Sequence, residues 1–295
     1  MGFVDLHVHS DASDGTFTPT QVVELAKNAG LDAIALTDHD TTAGVDEALE
    51  VAHHLNIEVI PGIEVSSSFD GTEIHILGLF VDQKDPVLAA MLEKMLISRD
   101  RRNEKMLENL AADGIIFTKE ELCGNNPDTI ITRAHIAHAL IVKGICSNTD
   151  QAFKKYLQYG GRYCPQKEHL TPEEVVKTLT KNGAFVALAH PFQYKFGDKK
   201  TEELIAYMAE LGMKGLEVYH SSNNKLESMK LREMASRHHL LPTGGSDFHG
   251  GNKPDISIGT GRGGLRVSSL LLDDIKRARG KEDIERLIKY MYQGE

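Results

Sequence analysis

Fourteen histidines and no tryptophan occur in this 295-residue chain, and the positions of the histidines decide what chemistry it can do. His7 and His9 lie two apart in the run Phe3-Val4-Asp5-Leu6-His7-Val8-His9. That run reads as a strand, so both rings project from one face. Alone, such a pair reads equally well as two half-exposed histidines. The next residues, Ser10-Asp11-Ala12-Ser13-Asp14-Gly15, add carboxylates and a turn directly beyond the strand. The same pattern recurs with His39 in Thr37-Asp38-His39-Asp40, Glu64 after Gly62-Ile63, and His75 in Glu73-Ile74-His75-Ile76. It recurs again with His190 in Ala189-His190-Pro191 and with Asp247 and His249 in Ser246-Asp247-Phe248-His249. Each falls at or near an expected strand end, where barrels and open α/β sheets build their sites. Six histidines and three carboxylates gathered together would repel or desolvate one another unless cations held them. Nitrogen and oxygen ligands without thiolate suit Mn, Fe or Zn, in sites that keep positions open for water.

The elements that must place these residues alternate. A strand is expected over residues 3–8, and a helix starts at Thr18-Pro19 and runs to about 29, with Gly30 as its stop. A short buried strand over 32–36 precedes a helix over 43–55, for which Asp40 is a candidate cap. Strands over 57–61, 64–69 and 73–80 follow, the last two around the turn Asp70-Gly71. This βαβαβ rhythm predicts a parallel sheet or barrel. From about 86 to 163 the pattern turns charged and helical, and the run from Arg99 to Lys105 reads as a solvated helix face. Thr171-Pro172-Glu173-Glu174 has the pattern of a capped helix start. Strands over 184–189, 215–219 and 241–244 then alternate with helices over 201–211 and 223–238, and a helix over 281–292 closes the chain. The expected organisation is a barrel domain from 1–85 and 165–295, with a helical insertion over 86–164 that caps the substrate.

Bulk properties narrow the function. A net charge of −10 argues against a broad basic surface for gripping nucleic acid, although bound divalent ions would invert the field around them. Cys123, Cys146 and Cys164 form no Cys-x-x-Cys pair, which predicts a reduced, cytoplasmic protein without a disulfide framework. The first residues read as no signal peptide, and no apolar run is long enough for a membrane span. Gly259-Thr260-Gly261-Arg262-Gly263-Gly264 has dinucleotide-site spacing but neither follows the first strand nor opens a clear helix, so it is set aside. His53-His54 and His238-His239 fall late in expected helices, where cationic residues are common, and are left out of the site. No Gly-x-Ser-x-Gly elbow is present.

Taken in order, His7-x-His9, Asp14-Gly15, Thr37-Asp38-His39, Glu64, His75, Ala189-His190-Pro191 and Ser246-Asp247-x-His249 resemble the motifs of the PHP (polymerase and histidinol phosphatase) superfamily. The likeness spans almost the whole chain. It is greatest to the stand-alone branch with an inserted helical subdomain, which includes nucleoside 3′,5′-bisphosphate phosphatases. The resemblance implies an α/β fold, a distorted (β/α)7 barrel, with up to three divalent metals. It assigns His7, His9, Glu64 and Asp247 to one ion. Glu64 bridges to a second held by His75 and His190, and Asp14, His39 and His249 hold a third. Two to three ions are expected, Mn first, with Fe or Zn as substitutes. The implied reaction is hydrolysis of a phosphomonoester by a hydroxide shared between two ions, with no phospho-enzyme.

The remaining candidates are weaker. Asp38 orients a metal-bound ligand from behind or is a turn residue. Arg133, in Thr132-Arg133-Ala134-His135, resembles an arginine that similar phosphatases point at substrate phosphate, a role suited to a guanidinium fork. Arg162 and Lys167, where the insertion rejoins the barrel, are further substrate contacts. His220 lines the pocket as a proton donor or is a core histidine. The expected partner is a small phosphate ester, nucleotide-like, with short oligoribonucleotides as the extended form, and neither a membrane nor an obligate protein partner. Rival readings are histidinol phosphatase, amide hydrolysis on the same metals, and a metal-stabilised binding module. The long insertion with Arg133 favours a nucleotide-like substrate, and no ligand is missing as a degenerate module would require.

Overall fold

The computed structural model describes residues 2–124, 131–165, 170–261 and 264–292, with 281–292 as backbone alone. Lys167 therefore lies outside the described residues, as do Arg262 and Gly263 of the glycine run. The first half alternates: β1 (Phe3–Val8), α1 (Pro19–Asn28), β2 (Ala33–Leu36), α2 (Val45–Leu55), β3 (Glu58–Phe69) and β4 (Thr72–Leu79). Four helices follow, α3 (Pro86–Ala112), α4 (Lys119–Cys123), α5 (Arg133–Val142) and α6 (Thr149–Lys155). The alternation resumes with α7 (Pro172–Asn182), β5 (Phe185–Leu188), α8 (Gly197–Glu210), β6 (Gly215–His220), α9 (Lys225–Arg237) and β7 (Leu241–Gly245). A two-residue β8 (Val267–Ser268) and α10 (Ser269–Tyr292) end it.

Local chemistry sets these boundaries. The Thr18 hydroxyl accepts from the Gln21 amide while the Gln21 side chain accepts from the Thr18 amide, so α1 starts on a reciprocal cap. Thr171 and Glu174 do the same for α7, which Gly183 ends with a left-handed φ of 89°.

The strands form one sheet in the order β7-β6-β5-β4-β3-β2-β1-β8. Pairings are parallel from β1 to β3 and from β5 to β7, but β4 runs antiparallel to both its neighbours. The end of β7 returns to β1. Asp247 N donates to His7 O at 2.9 Å, and His9 N donates to Phe248 O at 3.0 Å. The start of β1 pairs instead with β8, at Phe3 and Val4. Seven strands thus make a nearly closed, distorted barrel, with β8 wedged in its seam. The register of β1 on β2 also shifts between Asp5 and Val8, an irregularity placed where the site begins.

Two details differ from the sequence reading. The strands expected over 57–61 and 64–69 are one strand, β3. Gly62 permits this, because a Cβ there would stand 2.8 Å from Leu36 O and 2.7 Å from Thr37 Cγ2. The closing helix also begins earlier, at Ser269.

Helices α1 and α2 bury Val22, Val23, Ala26, Val45 and Ala48 against Ile34 and Leu36 of β2. Helices α7, α8 and α9 cover β3 to β6 through Val175, Leu179, Leu204, Met208 and Leu231. Leu88, Met91 and Met95 of α3 join that same core. Met106 and Leu110, further along α3, pack with Ile136, Leu140, Ala152 and Leu157 in a separate cluster. The change in packing therefore falls inside α3 rather than at its first residue. Among the described residues, no helix is long and apolar enough to cross a membrane.

Candidate metal centre

Glu64, fully buried on β3, stands among five imidazoles. Its Oε2 lies 3.3 Å from His7 Nε2, 3.3 Å from His9 Nε2 and 3.1 Å from His39 Nδ1. Its Oε1 lies 3.1 Å from His75 Nδ1 and 2.9 Å from His190 Nε2. Asp247 Oδ1 is 3.6 Å from His7, 3.4 Å from His9 and 3.4 Å from His249. Asp14 faces His249 at 3.2 Å and His9 and His39 at 3.8 Å. All nine residues singled out as ligands are thus brought into one cluster from the ends of five strands and their loops. Their ligand atoms, together with His220, fall into four overlapping groups within 4.8 Å: His9-Asp14-His39-His249, His7-His220-Asp247, His7-Glu64-His190 and His39-Glu64-His75. His9 groups here with Asp14 rather than with His7.

The donor set fits divalent cations. His9 Nδ1, His39 Nδ1, His190 Nδ1 and Glu64 Oε2 are buried without hydrogen-bond partners. Such orphans cost about 1–3 kcal/mol each when left unmade, and a shared cation removes that cost. Burial disfavours the charge on His75, yet Glu64 and Glu73 outweigh it and hold the ring protonated up to about 10. His9 is likewise raised to about 9 against its burial, by Asp247 and Glu64. Burial keeps His190 down at about 4. Burial alone would raise Glu64, but His39, His7 and His75 hold it well below the usual carboxylate range. Positive charge is what this cluster lacks. The three cysteines are buried and free, and none joins the four groups.

Several carboxylates hold the cluster in place. Glu217, fully buried on β6, accepts from His7 Nδ1 at 2.9 Å and from the His190 amide at 2.7 Å. It fixes one ring's tautomer and a second residue's backbone, as carboxylates behind metal ligands do. Asp5 accepts from Ser246 N at 2.8 Å, Ser246 Oγ at 2.5 Å and Gly259 N at 2.7 Å, which ties down the loop carrying Asp247. Neither was singled out from the sequence, although a lone acid inside an apolar strand was the available signal. Asp38 accepts from Ser10 N at 2.8 Å, Ser10 Oγ at 2.6 Å and Ser13 Oγ at 2.5 Å. It builds the turn that presents Asp14 and touches no histidine ring. Asp40 does not cap α2, whose cap position is Gly44 with no side-chain bond. Its left-handed backbone, with φ 56°, turns the carboxylate to Ser66 N at 2.6 Å and Ser66 Oγ at 2.9 Å. His190 and Asp247 also have positive φ, at 25° and 57°, backbone strain of the kind concentrated at functional sites.

The sequence pattern of the PHP domain matches residues 5–163, more than half of the chain. The chain belongs to the PHP family. It is 35% identical over 245 residues to the 5′-3′ exoribonuclease of Haemophilus influenzae, covering 83% of this chain and 89% of that one. It is 34% identical over 261 residues to the 3′,5′-nucleoside bisphosphate phosphatase of Chromobacterium violaceum, covering 88% and 91%. A solved structure of a proposed metal-dependent phosphoesterase from Bifidobacterium adolescentis superposes with a TM-score of 0.81 at 31% identity, covering 92% and 94%. This PHP protein is a metal-dependent phosphoesterase, and the cluster described above is its candidate centre for divalent ions.

The insertion of this PHP protein brings arginines toward the centre. Arg133 Nη2 pairs with Glu73 Oε1 at 2.6 Å, and its guanidinium lies 3.8 Å above the Tyr159 ring. The same Glu73 oxygen is 3.7 Å from His75 Nε2. Arg162 differs from expectation. It is exposed and pairs with Asp113 at 2.6 Å, and its described partners belong to the insertion, not to the cluster. His220 also differs, because it is buried with Nε2 3.3 Å from Asp247 and Nδ1 2.8 Å from Ser222 Oγ, inside a ligand group rather than on a pocket wall. The run read as a solvated face is in part the reverse: Arg99 and Arg102 are 4% and 5% exposed. Arg99 pairs with Asp40 and keeps its Nε buried without a partner. Arg102 donates to Tyr159 Oη at 3.1 Å and to Asn103 Oδ1.

Proposed function

We propose that this phosphoesterase removes a phosphate monoester from a nucleotide-like substrate, a nucleoside 3′,5′-bisphosphate or, in simpler form, a nucleoside monophosphate. The observation that carries the reading is that one carboxylate separates Arg133 from the cluster. Glu73 meets the guanidinium at 2.6 Å on one side and His75 at 3.7 Å on the other. A substrate with two phosphates would place one against the cluster and the second on the guanidinium fork, beside the Tyr159 hydroxyl. Arginine suits that bidentate role. On this reading α3 to α6 are the substrate cap, and the nine ligands with His220 hold two or three divalent ions, Mn first, with Fe or Zn as rivals. Ions bound there supply activated water near neutral pH and neutralise phosphoryl oxygens. The chain's own part is positional. Glu217 fixes His7, Asp38 presents Asp14, Asp5 steadies the Asp247 loop, and Arg133 orients the ester. The name of the Haemophilus relative favours a second reading, in which the same site trims 5′ ends of short RNA.

A phosphate-release screen after Mn loading tests this directly, across nucleoside monophosphates, 3′,5′-bisphosphates, histidinol phosphate and short oligoribonucleotides. Activity confined to histidinol phosphate would sink the substrate reading, and release of mononucleotides from RNA alone would favour the second. The Arg133→Ala variant should raise KM for a bisphosphate by about ten- to a hundredfold, the worth of a hydrogen bond to a charged group, with metal content unchanged.

A further inference from the structure

The loop after β7 carries a cation that the motifs leave unused. Gly250–Asn252 forms a single 3-10 turn, and Lys253 follows it. Gly251 N donates to Thr16 Oγ1 at 2.7 Å, and Asn252 Nδ2 donates to Asp14 O at 2.8 Å. These bonds fasten the loop to the turn that presents Asp14. The lysine reaches back so that its Nζ donates to Asp247 Oδ2 at 2.5 Å. That oxygen is also the one facing His220 Nε2, at 3.3 Å. His7, His220 and Asp247 are one of the four groups with the spacing of a metal site. An ammonium and a divalent ion compete for this carboxylate face, because like charges a few ångströms apart repel strongly where water is excluded.

We propose that Lys253 is a built-in cation of this centre: it holds the His7-His220-Asp247 group against a divalent ion, while the groups around Glu64 and Asp14 take metal. The inference rests on the reading that the cluster binds divalent ions, and it limits how many. His7 remains available to the Glu64-His190 group, so the remaining groups lose no ligand. The lysine supplies fixed positive charge beside Asp247 whatever the metal supply. A lysine suits this role better than arginine, since its charge is compact and its stem flexible.

Metal content after Mn loading and desalting, with titration of the metal-free proteins, tests the proposal on the wild type, Lys253→Met and Lys253→Arg. Lys253→Met should retain one more equivalent of Mn than the wild type, or bind its weakest equivalent at least about tenfold more tightly, as relief of a nearby like charge requires. Lys253→Arg should match the wild type. Equal or weaker metal binding in Lys253→Met overturns the proposal. A wild type that takes up no metal overturns the underlying reading instead, so the two failures are distinct. Lys253→Gln carries the same comparison if the Met variant fails to fold.

Discussion

At the scale of single residues, the metal-free centre is a proton store. His75 stays protonated up to about 10 because Glu64 and Glu73 outweigh its burial, and His9 up to about 9 because Asp247 and Glu64 do the same. A metal needs a neutral imidazole nitrogen, so loading must expel these protons. Lowering the pH favours the protonated rings, and affinity should therefore fall as pH falls from about 9 toward 6. At pH 7, titration with Mn in two buffers of different ionisation enthalpy should report net proton release. An uptake with no proton release would mean that these rings are neutral or are not ligands. The nine ligands were legible because each is a reactive type at a strand end, a pattern carried by local sequence. Glu217 and Asp5 were not. A single acid inside an apolar strand gives no local sign of its partners, and theirs lie up to 210 and 254 residues away. His220 was visible as a polar residue ending a strand, but only the closing of β6 beside β7 sets it against Asp247.

At the scale of elements, β3 shows how a glycine can mislead and then explain itself. Pro61-Gly62 read as a break between two strands, since both residues commonly punctuate structure. In the fold the strand runs through, and Gly62 is required because Leu36 O and Thr37 Cγ2 crowd the space where a Cβ would stand. Gly62→Ala should cost about 1–3 kcal/mol, the usual penalty of overpacking. It should also loosen metal binding, because Glu64 lies two residues on and the pleat would move with it. Urea unfolding measures the first effect and metal titration the second. A variant as stable as the wild type would show that β2 yields easily there. The helices were read more accurately, because caps such as Thr18 with Gln21 and Thr171 with Glu174 are written locally. The charge run at Arg99 was misread for the opposite reason: composition shows charges but not the carboxylate and the tyrosine that receive them across the fold.

At the scale of the whole molecule, the helical insertion is joined to the barrel by a buried ion pair as well as by apolar packing. Arg99 on α3 meets Asp40 in the loop after β2, one residue beyond His39. The two partners are not equivalent. Asp40 keeps two donors from Ser66 if the arginine is lost. Arg99 already has its Nε unpartnered, and burial beside Arg102 draws its pKa down to about 10. Removing the carboxylate therefore strands a buried cation, which costs about 3–5 kcal/mol, whereas replacing the arginine by an apolar chain of similar length can be nearly neutral. Asp40→Asn should lower the urea midpoint far more than Arg99→Met, and Asp40→Asn combined with Arg99→Met should recover most of the loss. The order of the two single variants is the critical outcome, because a pair that merely bridges two surfaces would lose equally from either side. Should Arg99→Met prove stable yet raise KM for a nucleotide substrate, Arg99 would be needed for binding, and the pair would link the substrate cap to the loop that carries His39.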